Sequence, residues 1–123
     1  PPRFKILQIS YSLVDPGALK AWHLHRMQDD IWFVPPHNKL LVGLYDLREM
    51  SKTKEKSMRL VLGNHTSNLL LIPRGIAHGC ANIWREPASL IYLTNAQFSL
   101  DRPDEYRLPW DYFGRNFWEA KRS

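Results

Sequence analysis

The sequence of 123 residues contains one cysteine, Cys80, so no internal disulfide is possible and a reducing, cytoplasmic setting is expected. No apolar run approaches the ~20 residues that span a membrane, and no amino-terminal segment has the form of a signal peptide. No stretch sustains a helical period, and there is no internal repeat or low-complexity tract. Basic residues outnumber acidic ones by 17 to 12, for a net charge of +5. They form no aromatic-basic platform, so the excess suits an anionic small molecule such as a nucleotide or phosphate better than a nucleic acid. At 44% hydrophobic and 24% charged, residues 1–123 read as one globular domain.

What is present is a series of short extended segments. Residues 4–10 alternate as a first strand, and Asp15-Pro16-Gly17 forms a turn. Strands are expected over 18–26, 31–34, 39–47, 58–62, 67–72, 79–84 and 89–94, with a polar connection over 48–56. The tail from Asp101, with two prolines and two tryptophans, is expected to be irregular or briefly helical and to lie on the outside. Many short strands parted by turn residues predict an all-β protein, a jelly roll.

Two stretches carry candidate chemistry. In Trp22-His23-Leu24-His25, the two-residue period of a strand turns both histidines to one face and the bulky Trp22 and Leu24 to the other. In Ile72 to Asn82, IPRGIAHGCAN, Pro73 and Gly75 end an apolar strand in a tight turn, and His78 follows at its mouth. These places are expected to face each other across one cavity. His37 and His65 lie in polar loops and read as bystanders, and Cys80 reads as a small packing residue.

The chain resembles the dTDP-4-dehydrorhamnose 3,5-epimerase family, of cupin fold. The resemblance runs through LKAWHLH (19–25), DLREMSKT (46–53), IPRGIAHG (72–79), IYLTN (91–95) and PWD (109–111). It implies a double-stranded β-helix, a homodimer, and a dTDP-4-keto-6-deoxyhexose as substrate, in surface polysaccharide or deoxysugar synthesis. By the family pattern His23 is the base and Tyr92 the acid. His25 and His78 lie beside the substrate, Lys20 supplies charge to the phosphate end, and Arg48 and Ser51 serve the nucleotide end or support the site. No redox or metal cofactor is implied.

Three positions depart from that pattern. His25 replaces a glutamine, Asp30 falls about where the family has a lysine near the carbonyl oxygen, and the family's late aspartate behind the catalytic histidine has no counterpart by motif. Two other readings therefore stay open. His23, His25, Asp29 or Asp30, and His78 also match the metal-binding pattern of wider cupins, acting on a small molecule. The third reading is a non-catalytic cupin that binds a sugar or nucleotide.

Overall fold

The computed structural model describes residues 3–101 and 103–119. Within them lie β1 (Gln8–Val14), β2 (Leu19–Leu24), β3 (Asp30–Phe33), β4 (Lys39–Asp46), β5 (Ser57–Gly63), β6 (Leu69–Ile72), β7 (Ile76–Ala81), β8 (Ala88–Thr94) and β9 (Tyr106–Arg107). One turn of 3₁₀ helix, Arg115–Trp118, follows. The strands form two antiparallel sheets, ordered β1-β8-β3-β6 and β5-β4-β7-β2-β9. Neighbours far apart in sequence, in two facing sheets, make the expected cupin jelly roll.

The two-residue period decides what each strand gives to the interior. From β4, Leu40 and Val42 enter the core between the sheets, while Leu41 and Tyr45 face outward. From β7, Ile76 and Cys80 turn inward and Ala77 and Ala81 outward. Val14, Trp32, Val34, Leu62, Ile72 and Leu90 complete the inter-sheet core.

The outer face of the five-stranded sheet is covered by the tail. Trp22, fully buried, meets the rings of Phe113, Phe117 and Trp118 at centroid distances of 4.9, 4.8 and 5.0 Å. Gly43 permits this contact, since a Cβ there would stand 2.5 Å from a Phe117 ring carbon. Burying a side chain of this size contributes about 1.5–3 kcal/mol. The expected short helix is present, but the tail is part of the structure rather than an appendage: β9 joins β2 as the sheet's edge.

Most strand bounds differ from expectation, and those of β1 and β7 differ with a consequence for the cavity. β1 runs over 8–14 rather than 4–10, because it pairs with β8 along its whole length, Gln8 to Thr94 through Val14 to Ala88. Its small polar residues Ser10 and Ser12 alternate with Ile9, Tyr11 and Leu13, whose side chains stay exposed. β7 starts at Ile76, so His78 lies within a strand rather than before one. It stops at Ala81 because the Asn82 side chain donates to the carbonyls of Val14 and Glu86 and accepts from the Trp84 amide.

Candidate active site

The cavity opens between the two sheets, with a volume of about 250 Å³. From β2 and β7 come Lys20, His23 and His78; from β3 and β8 come Asp30 and Tyr92. His25, just past β2, also lines it. Alternation accounts for His23 and His25 together, with Trp22 anchored on the opposite face. Lys20 and His23 are three apart and would point oppositely on a regular strand. The pairing of β2 with β7 shifts register between them, and both side chains line the cavity. Of the sequence-predicted residues, Lys20, His23, His25, His78 and Tyr92 are thus brought together.

His23 pairs in register with His78 on one side and with Arg107 of β9 on the other. Its Nδ1–H donates to Glu105 Oε1 at 2.9 Å. A carboxylate can only accept, so Nδ1 carries a proton, and in the neutral ring the lone pair lies on Nε2. Burial pushes the Glu105 carboxyl up, but the hydrogen bond and charge of His23, with Arg107, outweigh it and hold Glu105 below its ordinary value. Glu105 therefore stays ionised and fixes the ring. Tyr92 reaches the same cavity from the opposite sheet, where it pairs with Ser10 and Trp32.

His25 is built differently. Its Nδ1–H donates to the Asp104 carbonyl at 2.7 Å, while the Asp104 carboxylate accepts from the amides of Arg26 and Met27. His25 Nε2 lies 4.0 Å from Asp30 Oδ2. Asp30 is buried, 3% exposed, and desolvation raises its carboxyl above the ordinary value. His78 is equally buried, and desolvation lowers it to about 3, so its ring is neutral; its Nδ1–H donates to the Ile76 carbonyl. Of the two adjacent aspartates only Asp30 enters the cavity. Asp29 turns away into a two-pronged pair with Arg74 and accepts from Asn95. Cys80 also lines the cavity, but burial pushes its thiol up to about 11, leaving it a packing group rather than a nucleophile.

Arg48 and Ser51 do not line this cavity. Both bind the buried Asp46 carboxylate: Arg48 through Nε and Nη2 at 3.0 Å each, Ser51 through its hydroxyl at 2.6 Å. Arg48 also packs under Gly75, where a Cβ would meet its Cγ at 2.5 Å and where φ is +86°. The Gly75 amide in turn donates to the His25 carbonyl at 2.8 Å. Their visible role is to hold the turn that precedes His78.

Sequence reasoning missed Glu105, Asp104 and Arg107. A two-residue strand carries no readable period, and the tail's mixture of prolines and charges hides it further. The one available signal was the acidic pair Asp104-Glu105 before an aromatic residue.

The sequence profile of the dTDP-4-dehydrorhamnose 3,5-epimerase family matches residues 3–112. The chain is 46% identical over 104 residues to the spore coat polysaccharide biosynthesis protein SpsL of Bacillus subtilis, covering 85% of this chain and 68% of SpsL. It is 37% identical over 101 residues to the probable low-salt glycan biosynthesis epimerase Agl13 of Haloferax volcanii, covering 82% of this chain and 65% of Agl13. It thus spans about two thirds of the length of these relatives. Among solved structures, a dTDP sugar isomerase from Desulfovibrio desulfuricans superposes with a TM-score of 0.82 at 29% identity, over 91% of this chain and 70% of that one. The chain belongs to the dTDP-4-dehydrorhamnose 3,5-epimerase family.

Proposed function

We propose that the protein is a nucleotide-sugar epimerase that moves protons on carbons next to the ketone of a dTDP-4-keto-6-deoxyhexose, in surface polysaccharide or deoxysugar synthesis. The observation that carries this reading is the His23–Glu105 pair facing Tyr92 across one cavity. Inversion at a carbon needs a base on one face and an acid on the other, and the two sheets supply one each.

Glu105 holds the His23 proton on Nδ1, which leaves Nε2 to accept the hydrogen that the ketone has made acidic. An enolate forms, with its charge on the ketone oxygen. The Tyr92 hydroxyl then delivers a proton from the other sheet, and the carbon inverts. A cavity of about 250 Å³ is below the ~300–1,000 Å³ of pockets for drug-sized ligands, so it takes the sugar ring and not the whole nucleotide. Lys20 and Arg107, which line this same cavity, supply positive charge to the diphosphate. Arg48 and Ser51 act as supports through Asp46.

The protein works in the cytoplasm as a homodimer of single cupin domains. The exposed apolar side chains of β1 and β6, among them Ile9, Tyr11 and Leu69, offer a second copy a sheet face to cover.

The test uses dTDP-4-keto-6-deoxyglucose and follows product stereochemistry by NMR. Wild type gives an inverted product, while Tyr92→Phe still exchanges the abstracted proton but no longer inverts the carbon. A Tyr92→Phe protein that inverts as well as wild type removes Tyr92 from the acid role. A folded wild type that produces neither inversion nor exchange removes the epimerase reading for this substrate.

A further inference from the structure

The cavity has an end that the proton transfers do not use. His25, Asp30 and His78 each present one donor atom there, and the three atoms lie within 4.8 Å of one another. Both imidazoles are fixed in one tautomer by a carbonyl, which can only accept: His25 by Asp104 at 2.7 Å, His78 by Ile76 at 3.0 Å. Nε2 is therefore the lone-pair nitrogen of each ring. His25 Nε2 and Asp30 Oδ2, 4.0 Å apart, are too distant to bond directly. The carboxylate is also oriented from behind, by Gln28 Nε2 on Oδ1 at 2.8 Å and Trp32 Nε1 on Oδ2 at 3.3 Å. Metal-binding histidines are held in this way, with the far ring N–H on a carbonyl or carboxylate and the near nitrogen free for the ion.

We propose that His25, Asp30 and His78 bind a divalent first-row transition-metal ion. Two imidazoles and a carboxylate suit Zn²⁺, Mn²⁺, Fe²⁺ or Ni²⁺ better than Ca²⁺ or Mg²⁺, which favour all-oxygen sets. Among the described residues, no lysine or arginine forms an ion pair with the buried Asp30, so a bound cation would supply the counter-charge to its carboxylate. Ligand bonds of about 2.0–2.2 Å mean that the three side chains draw inward as the ion binds. Three protein ligands leave coordination positions open toward the cavity. His23 stands outside the ligand set, since the donor atoms that gather within 4.8 Å belong to His25, Asp30 and His78. Resting on the epimerase reading, the open position accepts the ketone oxygen. The ion then balances the enolate's charge, which an Asp30 carboxylate alone would repel.

The test begins with untagged, chelator-stripped protein titrated with Zn²⁺ and with Co²⁺, the second followed by its visible absorption. One ion per chain is expected, with affinity reduced at least ~10-fold in Asp30→Asn and unchanged in the His37→Ala/His65→Ala double variant, which removes the loop histidines. No uptake of either ion, or uptake equal in wild type and Asp30→Asn, overturns the site. Folding of Asp30→Asn is checked by circular dichroism; should it fail to fold, Gln28→Ala replaces it and is expected to weaken binding by perturbing the carboxylate. Uptake that Gln28→Ala leaves untouched then counts against the site. Deuterium exchange into the substrate is measured on stripped and reloaded protein. Exchange that returns with the ion supports its role, and exchange equal in both states overturns that role. Metal uptake without exchange in either state supports the site while overturning the epimerase reading.

Discussion

His23 and His25 stand two residues apart, turn the same way and open on one cavity, yet their neighbours make them different reagents. His23 has a carboxylate behind Nδ1, from the residue just before the edge strand β9. His25 has a carbonyl behind Nδ1 and a buried carboxylate in front of Nε2. A carboxylate behind the ring stabilises the imidazolium that forms when Nε2 takes a proton. A carbonyl behind Nδ1 fixes that proton and turns Nε2 toward Asp30, where the two side chains can share one cation. Identical side chains two residues apart thus divide into base and ligand through what the tail and the facing sheet bring to them. Both partners behind the rings, Glu105 and Asp104, come from one short segment of the tail.

The strongest way to break this comparison is to remove one histidine and ask whether the other function survives. His23→Ala is expected to lower substrate deuterium exchange by ~10²–10⁴-fold, the usual contribution of a positioned base, while cobalt absorption stays as in wild type. Trp118→Ala strips the cover from the opposite face of β2 and acts on both histidines together. Removing a buried tryptophan costs about 3–5 kcal/mol, read by urea unfolding. Glu105→Gln sharpens the contrast because it keeps the shape and removes the charge behind His23 only. Its expected cost is roughly 10–100-fold in kcat, a part of what the base contributes, with KM and metal uptake little changed.

The smallest effect belongs to the support of the His25 side. The Arg48 guanidinium, with Ser51 and Thr53, holds the Asp46 carboxyl far below its ordinary value of 3.8. A carboxyl depressed in the folded state stabilises fully above that ordinary value, and the contribution fades as pH falls below it. Asp46→Asn is therefore expected to lower stability near neutral pH and to show a shallower loss between about pH 4 and pH 2, checked by urea midpoints across that range.

Much of the jelly roll was legible because β4, β6 and β8 have apolar runs bounded by Pro, Gly and Asn turns, and such punctuation survives in sequence. The meeting of His23, His25 and His78 at one cavity was legible because strand alternation and turn chemistry are local rules, whereas Tyr92 entered only through the family resemblance. What stayed hidden depended on contacts with no local pattern. β1 presents serines to the cavity and apolar residues to solvent, the reverse of the usual rule, so its extent could not be read from hydrophobic alternation. Glu105 reaches His23 across 82 positions of sequence and lies in a segment with no period. The family's late aspartate has no match by motif, yet a carboxylate stands behind the histidine, supplied from β9's approach. Arg48 and Ser51 fit the family pattern by position, but their partner, Asp46, became visible only in the folded network.

The central claim, that His23 is the base of this cavity and His25 is not, is tested most directly by deuterium wash-in at carbons 3 and 5 of dTDP-4-keto-6-deoxyglucose. Wild type, His23→Ala and Glu105→Gln are run in parallel in heavy water and followed by NMR. The account predicts rapid exchange in wild type, slowed exchange in Glu105→Gln and exchange near background in His23→Ala. Exchange in His23→Ala at the wild-type rate would contradict it and move the base elsewhere in the cavity.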